Sequence, residues 1–288
     1  MTGINTFAVI GGDLRQAYLA ESIAADGYFV YAAEFDKYPF SGLVKKTSTE
    51  EAVERCTHVI LPLPVTMDGI TIQAPYSYHP IILDEYFASM LGEKPVFGGQ
   101  LDKLPKMEIW YKVRKYDYFQ RESLAVENAV PSAEGALEIA MRELPVTING
   151  SRCLVAGYGR IGKVLARMLS SLGAQVTVSA RKPEDLAWIK LNGFRAVKTA
   201  EIRNSGCYDV IFNTIPSIVF DAQTLSLVAE NALVIDLASA PYGVDFEAAK
   251  RLNIKTILAS GLPGKVAPQT AGIIIKNAIY QMIREESL

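Results

Sequence analysis

A glycine-rich turn between an apolar strand and an amphipathic helix constrains this chain more than any other feature. The strand is predicted over Arg152–Ala156, and the turn that follows it is Gly157-Tyr158-Gly159-Arg160-Ile161-Gly162. Apolar residues then recur at helical spacing: Ile161, Val164, Leu165, Met168, Leu169 and Leu172. In this strand–turn–helix context, the G-x-G-x-x-G spacing predicts a dinucleotide-binding fold.

Each glycine of the turn has its own role in such a fold. Gly157 permits the tight turn, Gly159 lets the backbone approach a pyrophosphate, and Gly162 lets the helix pack closely on the sheet. The helix N-terminus offers unpaired N–H groups and a partial positive charge to the phosphates. We therefore expect residues 157–162 to contact the dinucleotide. The alternative is a glycine-rich turn that binds nothing.

Strands and helices alternate along both halves of the chain, which predicts an α/β protein with parallel sheets. The first half has predicted strands at 7–10, 28–33, 58–64, 95–99 and 107–112, and helices at 14–25 and 81–91. The second half has predicted strands at 152–156, 175–179, 194–197, 209–213, 233–237 and 255–258. We expect two Rossmann-like domains, the first flavodoxin-like and the second doubly wound. The first is placed at residues 1–127 with a C-terminal helix at 268–288, and the second at residues 128–267.

Two helices are predicted to cross between these domains. The first begins at Pro131-Ser132, with Ser132 as the N-cap and Glu134 in the first turn. The second covers residues 268–285 and carries one apolar face. Two crossings form a hinge, so we expect the substrate to bind in a cleft between the domains.

The residues at the end of the second strand in the dinucleotide-binding half indicate whether NAD or NADP binds. An NAD site has an acidic residue there, about twenty positions beyond the glycines. This chain has Ser179-Ala180-Arg181-Lys182 instead. A hydroxyl and two cations suit a 2′-phosphate, which predicts NADP with Ser179, Arg181 and Lys182 as contacts. The alternative is a solvated basic turn before Pro183.

Other strand ends of the same half are expected to face the nicotinamide end of the cofactor, because open α/β sheets bind ligands at the carboxyl ends of their strands. The residues concerned are Asn213, Thr214, Pro216, Ala238 and Ser239. Asp236 either shares this role or ties loops together as a buried polar residue. The segment Gly261–Thr270, which includes Pro268, is expected to be a shaped loop over the nicotinamide.

The first domain starts with a modified glycine turn, Gly11-Gly12-Asp13-Leu14-Arg15. Asp13 and Leu14 replace further glycines, so a dinucleotide would be crowded out. A small anion at the helix N-terminus with Arg15 as its partner is one interpretation, and a charged, solvated helix start is the other.

The two histidines are candidate acid–base groups. His58 begins an apolar strand, which favours a structural role, whereas His79 lies in a predicted loop. The catalytic residue therefore stays unknown, with Arg15 and His79 as the candidates. No histidine follows residue 79, so the His–carboxylate pair of many hydroxy-acid dehydrogenases cannot form within the second half.

Composition narrows the class of protein. The net charge of −2 provides no basic surface for nucleic acid. Asp13 and Arg15 interrupt the first apolar run, so no signal peptide is predicted, and polar residues interrupt the last one, so no membrane span is predicted. The three cysteines lack metal or redox spacing, and we expect no metal site, small core roles for two of them and a cytoplasmic protein.

Four segments together resemble one family along the whole chain: Val9–Arg15, Asn128–Gly135, Gly157–Gly162 and Gly261–Pro268. They are similar to the A subunit of bacterial dipicolinate synthase. More distantly, the layout resembles the formate/glycerate dehydrogenases, alanine dehydrogenase and S-adenosylhomocysteine hydrolase.

The resemblance implies NADP-dependent oxidation of dihydrodipicolinate, or of its hydroxytetrahydro precursor, to dipicolinate during sporulation. It also implies a partner, a flavoprotein-like B subunit, and a place in the cytoplasm of the mother cell; a second copy of the chain is a further candidate partner. A dianionic substrate needs cations, for which Arg15 is the first candidate and Arg121 and Lys94 are secondary. The alternatives are another NADP-dependent amino- or hydroxy-acid dehydrogenase and a non-catalytic, regulatory NADP-binding subunit.

Overall fold

A computed structural model describes residues 5–288, and the chain divides into two compact units. The first contains the chain up to Glu127 together with Ala267–Leu288, and the second is Asn128–Val266. Both are α/β units with a parallel six-stranded sheet, so the predicted Rossmann-like architecture is confirmed.

The first unit has its strands in the order of a doubly wound sheet. They are β1 (Thr6–Ile10), β2 (Phe29–Ala33), β3 (Val44–Lys46), β4 (His58–Ile60), β5 (Val96–Gly98) and β6 (Lys115–Asp117), arranged β3-β2-β1-β4-β5-β6. Two strands lie on the β2 side of β1, whereas the flavodoxin order has one. The first unit is therefore Rossmann-like in order as well, and the flavodoxin-like description does not hold.

Helices cover both faces of this sheet. They are α1 (Leu14–Ala25), α2 (Thr49–Arg55), α3 (Glu85–Leu91), α4 (Glu108–Lys112) and α5 (Glu122–Glu127), with 3-10 turns at Leu101–Lys103 and Tyr118–Gln120. Alternation along β1 sends Phe7 and Val9 into one apolar core and Ala8 and Ile10 into the other. All four are buried, which is why this strand reads as a continuous apolar run.

The second unit repeats the plan. Its strands are β7 (Arg152–Ala156), β8 (Gln175–Ala180), β9 (Arg195–Lys198), β10 (Val210–Asn213), β11 (Leu233–Asp236) and β12 (Lys255–Leu258), in the order β12-β11-β10-β7-β8-β9. Its helices are α6 (Ala129–Glu143), α7 (Arg160–Ser171), α8 (Pro183–Leu191), α9 (Ala222–Leu225), α10 (Phe246–Arg251) and α11 (Leu262–Val266), with a 3-10 segment at Thr199–Asn204. The strand order reverses beside β7, whose carboxyl end carries the glycine turn.

The last helix, α12 (Pro268–Glu286), belongs to the first unit and packs along α1. A Cβ at Gly272 would overlap the carbonyl oxygen of Arg15 and lie 3.0 Å from the amide nitrogen of Leu19. The two helix backbones therefore approach closely at this residue. Nearby, Lys276 Nζ lies 2.6 Å from Asp26 Oδ2, which fixes α12 against the end of α1.

Several elements of the first unit differ from the prediction. The strand predicted at 107–112 is instead the helix α4 (Glu108–Lys112), and the sixth strand of the sheet lies further on, at Lys115–Asp117. The helix predicted over 81–91 begins only at Glu85, since Asp84 caps it and Ile81 bonds to the segment around Ile72. The sequence prediction also missed β3.

The helix predicted to begin at Pro131 and Ser132 begins earlier, at Ala129. Pro131 is accommodated in the first turn, where an N–H has no helical partner to lose. Ser132 is not the N-cap, because its hydroxyl donates back to the carbonyl oxygen of Asn128 at 2.7 Å. The expected loop at 261–270 is also partly helical: α11 packs on α6, where a Cβ at Gly135 would lie 3.1 Å from Leu262.

The described part of the chain, residues 5–288, contains no helix that is both long and apolar enough to cross a membrane. Cys56 and Cys153 are buried, as expected for small core residues, and Cys207 is exposed. Burial raises the pKa of Cys56 to about 11 and also raises the pKa of Cys153, so both thiols stay protonated at neutral pH.

Candidate dinucleotide site

The turn from β7 into α7 has the backbone that only glycine adopts easily. Gly157 has φ = 101°, and a Cβ there would overlap Thr214 Oγ1 at the end of β10. A Cβ at Gly162 would overlap the carbonyl oxygen of Gly157. Gly162 thus lets the first turn of the helix pack on the glycine turn itself rather than on the sheet. Thr214 Oγ1 completes the contact by donating to the Ala156 carbonyl at 2.9 Å.

The N-terminus of α7 is open to a ligand. Gly159 occupies the N-cap position without a side chain that could cap the helix, and nothing lies within 4 Å of the place where its Cβ would be. Gly159 and Arg160 are exposed, and Ile161 is half-buried. Uncapped N–H groups beside open space form a ready anion site, and the phosphates of a dinucleotide suit it.

Tyr158 is held against the body of the second unit rather than projecting freely. Its hydroxyl accepts from Asn192 Nδ2 at 3.3 Å, and Lys163 Nζ lies 5.4 Å from its ring centroid. The ring is half-buried, so Tyr158 shapes the turn while the glycines leave the backbone accessible.

The end of β8 lies beside this turn, because Ala156 pairs with Ser179 in the sheet. Ser179 is fully buried, and its Oγ accepts from the Gly157 N–H at 3.3 Å. This corrects the role expected for Ser179: its side chain points into the structure and supports the glycine turn instead of reaching a ribose phosphate. Arg181 and Lys182, by contrast, are exposed at the strand end, just before α8.

Asn213 and Asp236 end the neighbouring strands β10 and β11, and both are fully buried. Asn213 Nδ2 donates to Asp236 Oδ1 at 2.8 Å. Asn213 therefore does not present its side chain to a ligand, and Asp236 follows the alternative in which it ties loops together. Ala238 is buried too, with its N–H bonded to Asp236 Oδ1 at 3.0 Å.

Among the contacts predicted at these strand ends, Pro216 and Ser239 are exposed and Thr214 is half-buried. Of the contacts predicted at this edge, these three are accessible to a ligand. Pro268 begins α12 and lies in the first unit.

The glycine turn of the first unit is closed. The Gly12 N–H donates to the Gln73 carbonyl at 2.7 Å, and a Cβ at Gly11 would lie 2.9 Å from Ile72 Cγ2. The segment 72–74 therefore crosses the place where phosphates lie in a dinucleotide site, in agreement with the crowding inferred from Asp13. No sequence pattern near the turn indicates this segment, since it lies about sixty residues further along the chain.

Arg15 is already paired, which corrects its assignment as the substrate's partner. Its guanidinium makes three hydrogen bonds with the Asp13 carboxylate, with Nη2 2.8 Å from Oδ2, and also donates to the Leu63 carbonyl. Asp13 meanwhile caps α1 by accepting from the Arg15 N–H at 2.9 Å. The cation is neutralised and the helix N-terminus is filled, so neither is free for an anion.

The remaining candidate catalytic and substrate-binding residues lie in different surroundings. His58 is buried and stacks on Phe7, with ring centroids 5.2 Å apart, which fits its expected structural role. His79 is exposed, and the contacts at this residue are backbone bonds with Ser77 Oγ. Arg121 pairs with Glu285 at 2.7 Å, and Lys94 is half-buried. Within residues 5–288, no group of three or more His, Cys, Asp or Glu side chains could hold a metal ion.

The fold and the open helix N-terminus define a class, the two-domain proteins that bind a nicotinamide dinucleotide. Residues 132–276 match the family model of the NAD-binding domain of S-adenosyl-L-homocysteine hydrolase. Residues 6–119 match the N-terminal domain of the dipicolinate synthase A subunit. The chain is 33% identical to the dipicolinate synthase A subunit of Bacillus subtilis over 99% of its own length and 97% of that protein. It belongs to the family of dipicolinate synthase A subunits.

Solved structures agree with this assignment. The crystal structure of the dipicolinate synthase A subunit from Bacillus halodurans superposes with a TM-score of 0.85 at 30% identity, covering 98% of this chain and 99% of that one. L-alanine dehydrogenase superposes with a TM-score of 0.62 at 14% identity, over 96% of this chain and 88% of that one. The second match concerns the fold alone and confirms the distant structural resemblance to alanine dehydrogenase.

Proposed function

We propose that this protein binds NADP and uses it to oxidise dihydrodipicolinate, or its hydroxytetrahydro precursor, to dipicolinate during sporulation, together with a flavoprotein-like B subunit. The observation that carries the proposal is the similarity to the dipicolinate synthase A subunit over nearly the whole of both chains. The uncapped N-terminus of α7 supports it, because this is where a dinucleotide would place its pyrophosphate.

The choice of NADP rests on the end of β8. NAD sites have an acidic residue at this position, which binds the ribose. In this chain two exposed cations, Arg181 and Lys182, follow the strand instead. Arg181 can engage a 2′-phosphate through two parallel hydrogen bonds, and Lys182 adds charge. Because Ser179 is buried, these two side chains alone account for the proposed preference.

The remaining cofactor contacts are assigned by exposure. The backbone of Gly157–Gly162 would hold the pyrophosphate, and Thr214, Pro216 and Ser239 would border the nicotinamide half. Bound NADP would supply the hydride acceptor. The protein's own contribution is to hold that acceptor in one orientation at the carboxyl edge of the sheet.

The reaction balances without a protein-derived oxidant. Dihydrodipicolinate loses a hydride to NADP⁺ and a proton to water, which yields dipicolinate and NADPH. The hydroxytetrahydro precursor must in addition lose one water molecule to give the same products. The aromatic ring that forms provides driving force, and no alcohol has to be deprotonated. The chemistry is therefore compatible with a second unit that contains no histidine.

The test is a turnover assay. The purified chain, with and without the B subunit, is incubated with NADP and freshly generated dihydrodipicolinate, and both NADPH and dipicolinate are measured. We expect the two products to appear in equal amounts. NADP binding without turnover in either setting would overturn the proposal in favour of a non-catalytic nucleotide-binding protein. Reduction of a simple 2-oxo acid by NADPH, measured without the B subunit, would overturn it in favour of another dehydrogenase.

A further inference from the structure

One buried carboxylate organises the strand ends opposite β8. Asp236 is 0% exposed and accepts four hydrogen bonds. The donors are Asn213 Nδ2 at 2.8 Å and the N–H groups of Ala238 at 3.0 Å, Gly243 at 2.9 Å and Val244 at 3.1 Å. All four donors are amides, three from the backbone and one from a side chain.

The amide of Asn213 extends this network to a second loop. Its Nδ2 also donates to the Ile215 carbonyl at 3.0 Å, and its Oδ1 accepts from the Ile215 N–H at 3.2 Å. A Cβ at Gly243 would overlap Asn213 Nδ2, so glycine is needed for the loop to close over the pair. Segments 213–216, 236–239 and 243–244 are thereby joined around two side chains.

The joined segments meet the glycine turn. Thr214, next to Asn213 in the chain, donates to the Ala156 carbonyl and faces Gly157. The exposed residues Pro216 and Ser239 thus lie on loops whose backbones are held by hydrogen bonds to the buried side chains of Asn213 and Asp236. A shift of either loop would leave an acceptor of a buried carboxylate without its donor, which is strongly disfavoured.

We propose that Asn213 and Asp236 are positioning residues that preform the surface for the nicotinamide half of the dinucleotide. This rests on the proposed function, since it presupposes that a nicotinamide dinucleotide binds at this edge. Neither side chain touches the ligand. Their effect is to remove the cost of ordering two loops when the ligand binds, which raises affinity without adding a contact.

The two halves of the ligand depend on different parts of the protein. The adenine half and the 2′-phosphate would be held by the turn after β7 and by Arg181, neither of which is bonded to Asp236. Adenosine 2′,5′-bisphosphate, which lacks the nicotinamide half, should therefore bind independently of the network. A general loss of structure in the second unit would weaken both ligands alike.

The experiment compares these two ligands by calorimetry on the full chain and on Asp236→Asn, with the thermal midpoint recorded for each. The variant keeps the shape but directs an amide NH₂ at N–H donors. We expect NADP to bind about tenfold or more weakly and the bisphosphate to bind within about twofold of wild type. Asp221→Asn is the control: Asp221 caps α9 in the same unit, Asn is an equally good cap, and both affinities should be unchanged.

An equal loss for both ligands, or no loss for either, would overturn the positioning role and leave the proposed function standing. Wild-type protein that binds neither ligand would instead overturn the proposed function. Should Asp236→Asn not fold, Asn213→Ala is measured in its place. It keeps the carboxylate with its three backbone donors, and the same split between the ligands is expected.

Discussion

Arg15 Nη2 lies 2.8 Å from Oδ2 of Asp13, the residue that caps the helix on which Arg15 stands. The pair closes the start of α1 and replaces the anion that this helix N-terminus would otherwise attract. The two units therefore share one strand order but differ at the glycine turn. One turn is filled by the chain's own carboxylate and by segment 72–74, and the other is open.

We predict that Asp13→Ala lowers the free energy of unfolding by about 1–2 kcal/mol, because the helix loses its cap and Arg15 loses its partner. Asp13→Asn keeps a capping oxygen, so its free energy of unfolding should lie between those of wild type and Asp13→Ala. Urea unfolding followed by circular dichroism measures both variants. Equal stability of Asp13→Ala and wild type would show that the cap and the ion pair contribute nothing.

His58 makes stability depend on pH. Burial lowers the pKa of its imidazole below the ordinary value, so the folded protein binds the proton more weakly than the unfolded chain. Its contribution is fully present above about pH 6.5 and is lost as the pH falls through the lowered pKa, with a slope of at most about 1.4 kcal/mol per pH unit.

The measurement is urea unfolding at pH 7.5 and at pH 5.5 for wild type and for His58→Gln. We expect the wild type to lose more stability between the two pH values than the variant does. Identical pH dependence in the two proteins would mean that His58 is not the group responsible.

The contact of α12 with α1 is sensitive to one methyl group. Gly272→Ala would place a Cβ against the backbone of Arg15 and Leu19, which cannot yield as a flexible side chain would. We expect a loss of about 1–3 kcal/mol, although alanine is the better helix former. Gly42→Ala is the control, since nothing lies within 4 Å of that Cβ, and its thermal midpoint should match wild type. A stabilised Gly272→Ala would refute the close approach.

Most of the strands that the sequence predicted are buried, although β9 and β12 were predicted without a buried side chain. β1, β7 and β11 read as apolar runs because both of their faces are covered. β3 and β6 are three-residue edge strands: β3 buries one side chain, Val44, and the side chains of β6 are all half-buried. Their sequences, Val-Lys-Lys and Lys-Tyr-Asp, carry too little apolar signal to be recognised.

Residues 107–112 misled the prediction for a related reason. Ile109, Trp110 and Tyr111 are typical of strands, but Trp110 is 1% exposed on a short helix, with Nε1 donating to the Leu83 carbonyl at 3.1 Å. That acceptor lies 27 positions away in the chain. A tertiary contact of this kind overrides local propensity and is not visible in a short window.

The site was predicted only in part, again because contacts between distant segments are not visible in a short stretch of sequence. The roles of Gly157, Gly159 and Gly162 follow from the covalent difference between glycine and other residues, which the sequence states directly. The burial of Ser179 and Asn213 depends on where other segments pass, and so does the bond from Arg15 to the Leu63 carbonyl. One usable signal was available: Asn213 and Asp236 both end apolar strands, and the ends of neighbouring parallel strands lie at the same edge of the sheet.

Binding of NADP at the carboxyl edge of the second sheet underlies both proposals, and calorimetric titration with NADP and with NAD measures it. Arg181→Glu reverses the charge proposed to hold the 2′-phosphate, and Lys190→Glu, at the other end of α8, is the matched control. We predict that wild type and Lys190→Glu bind NADP more tightly than NAD, and that Arg181→Glu loses about tenfold or more of its affinity for NADP while its affinity for NAD hardly changes. Equal losses for both nucleotides in Arg181→Glu, or a wild-type protein that prefers NAD, would refute the assignment of this edge as an NADP site.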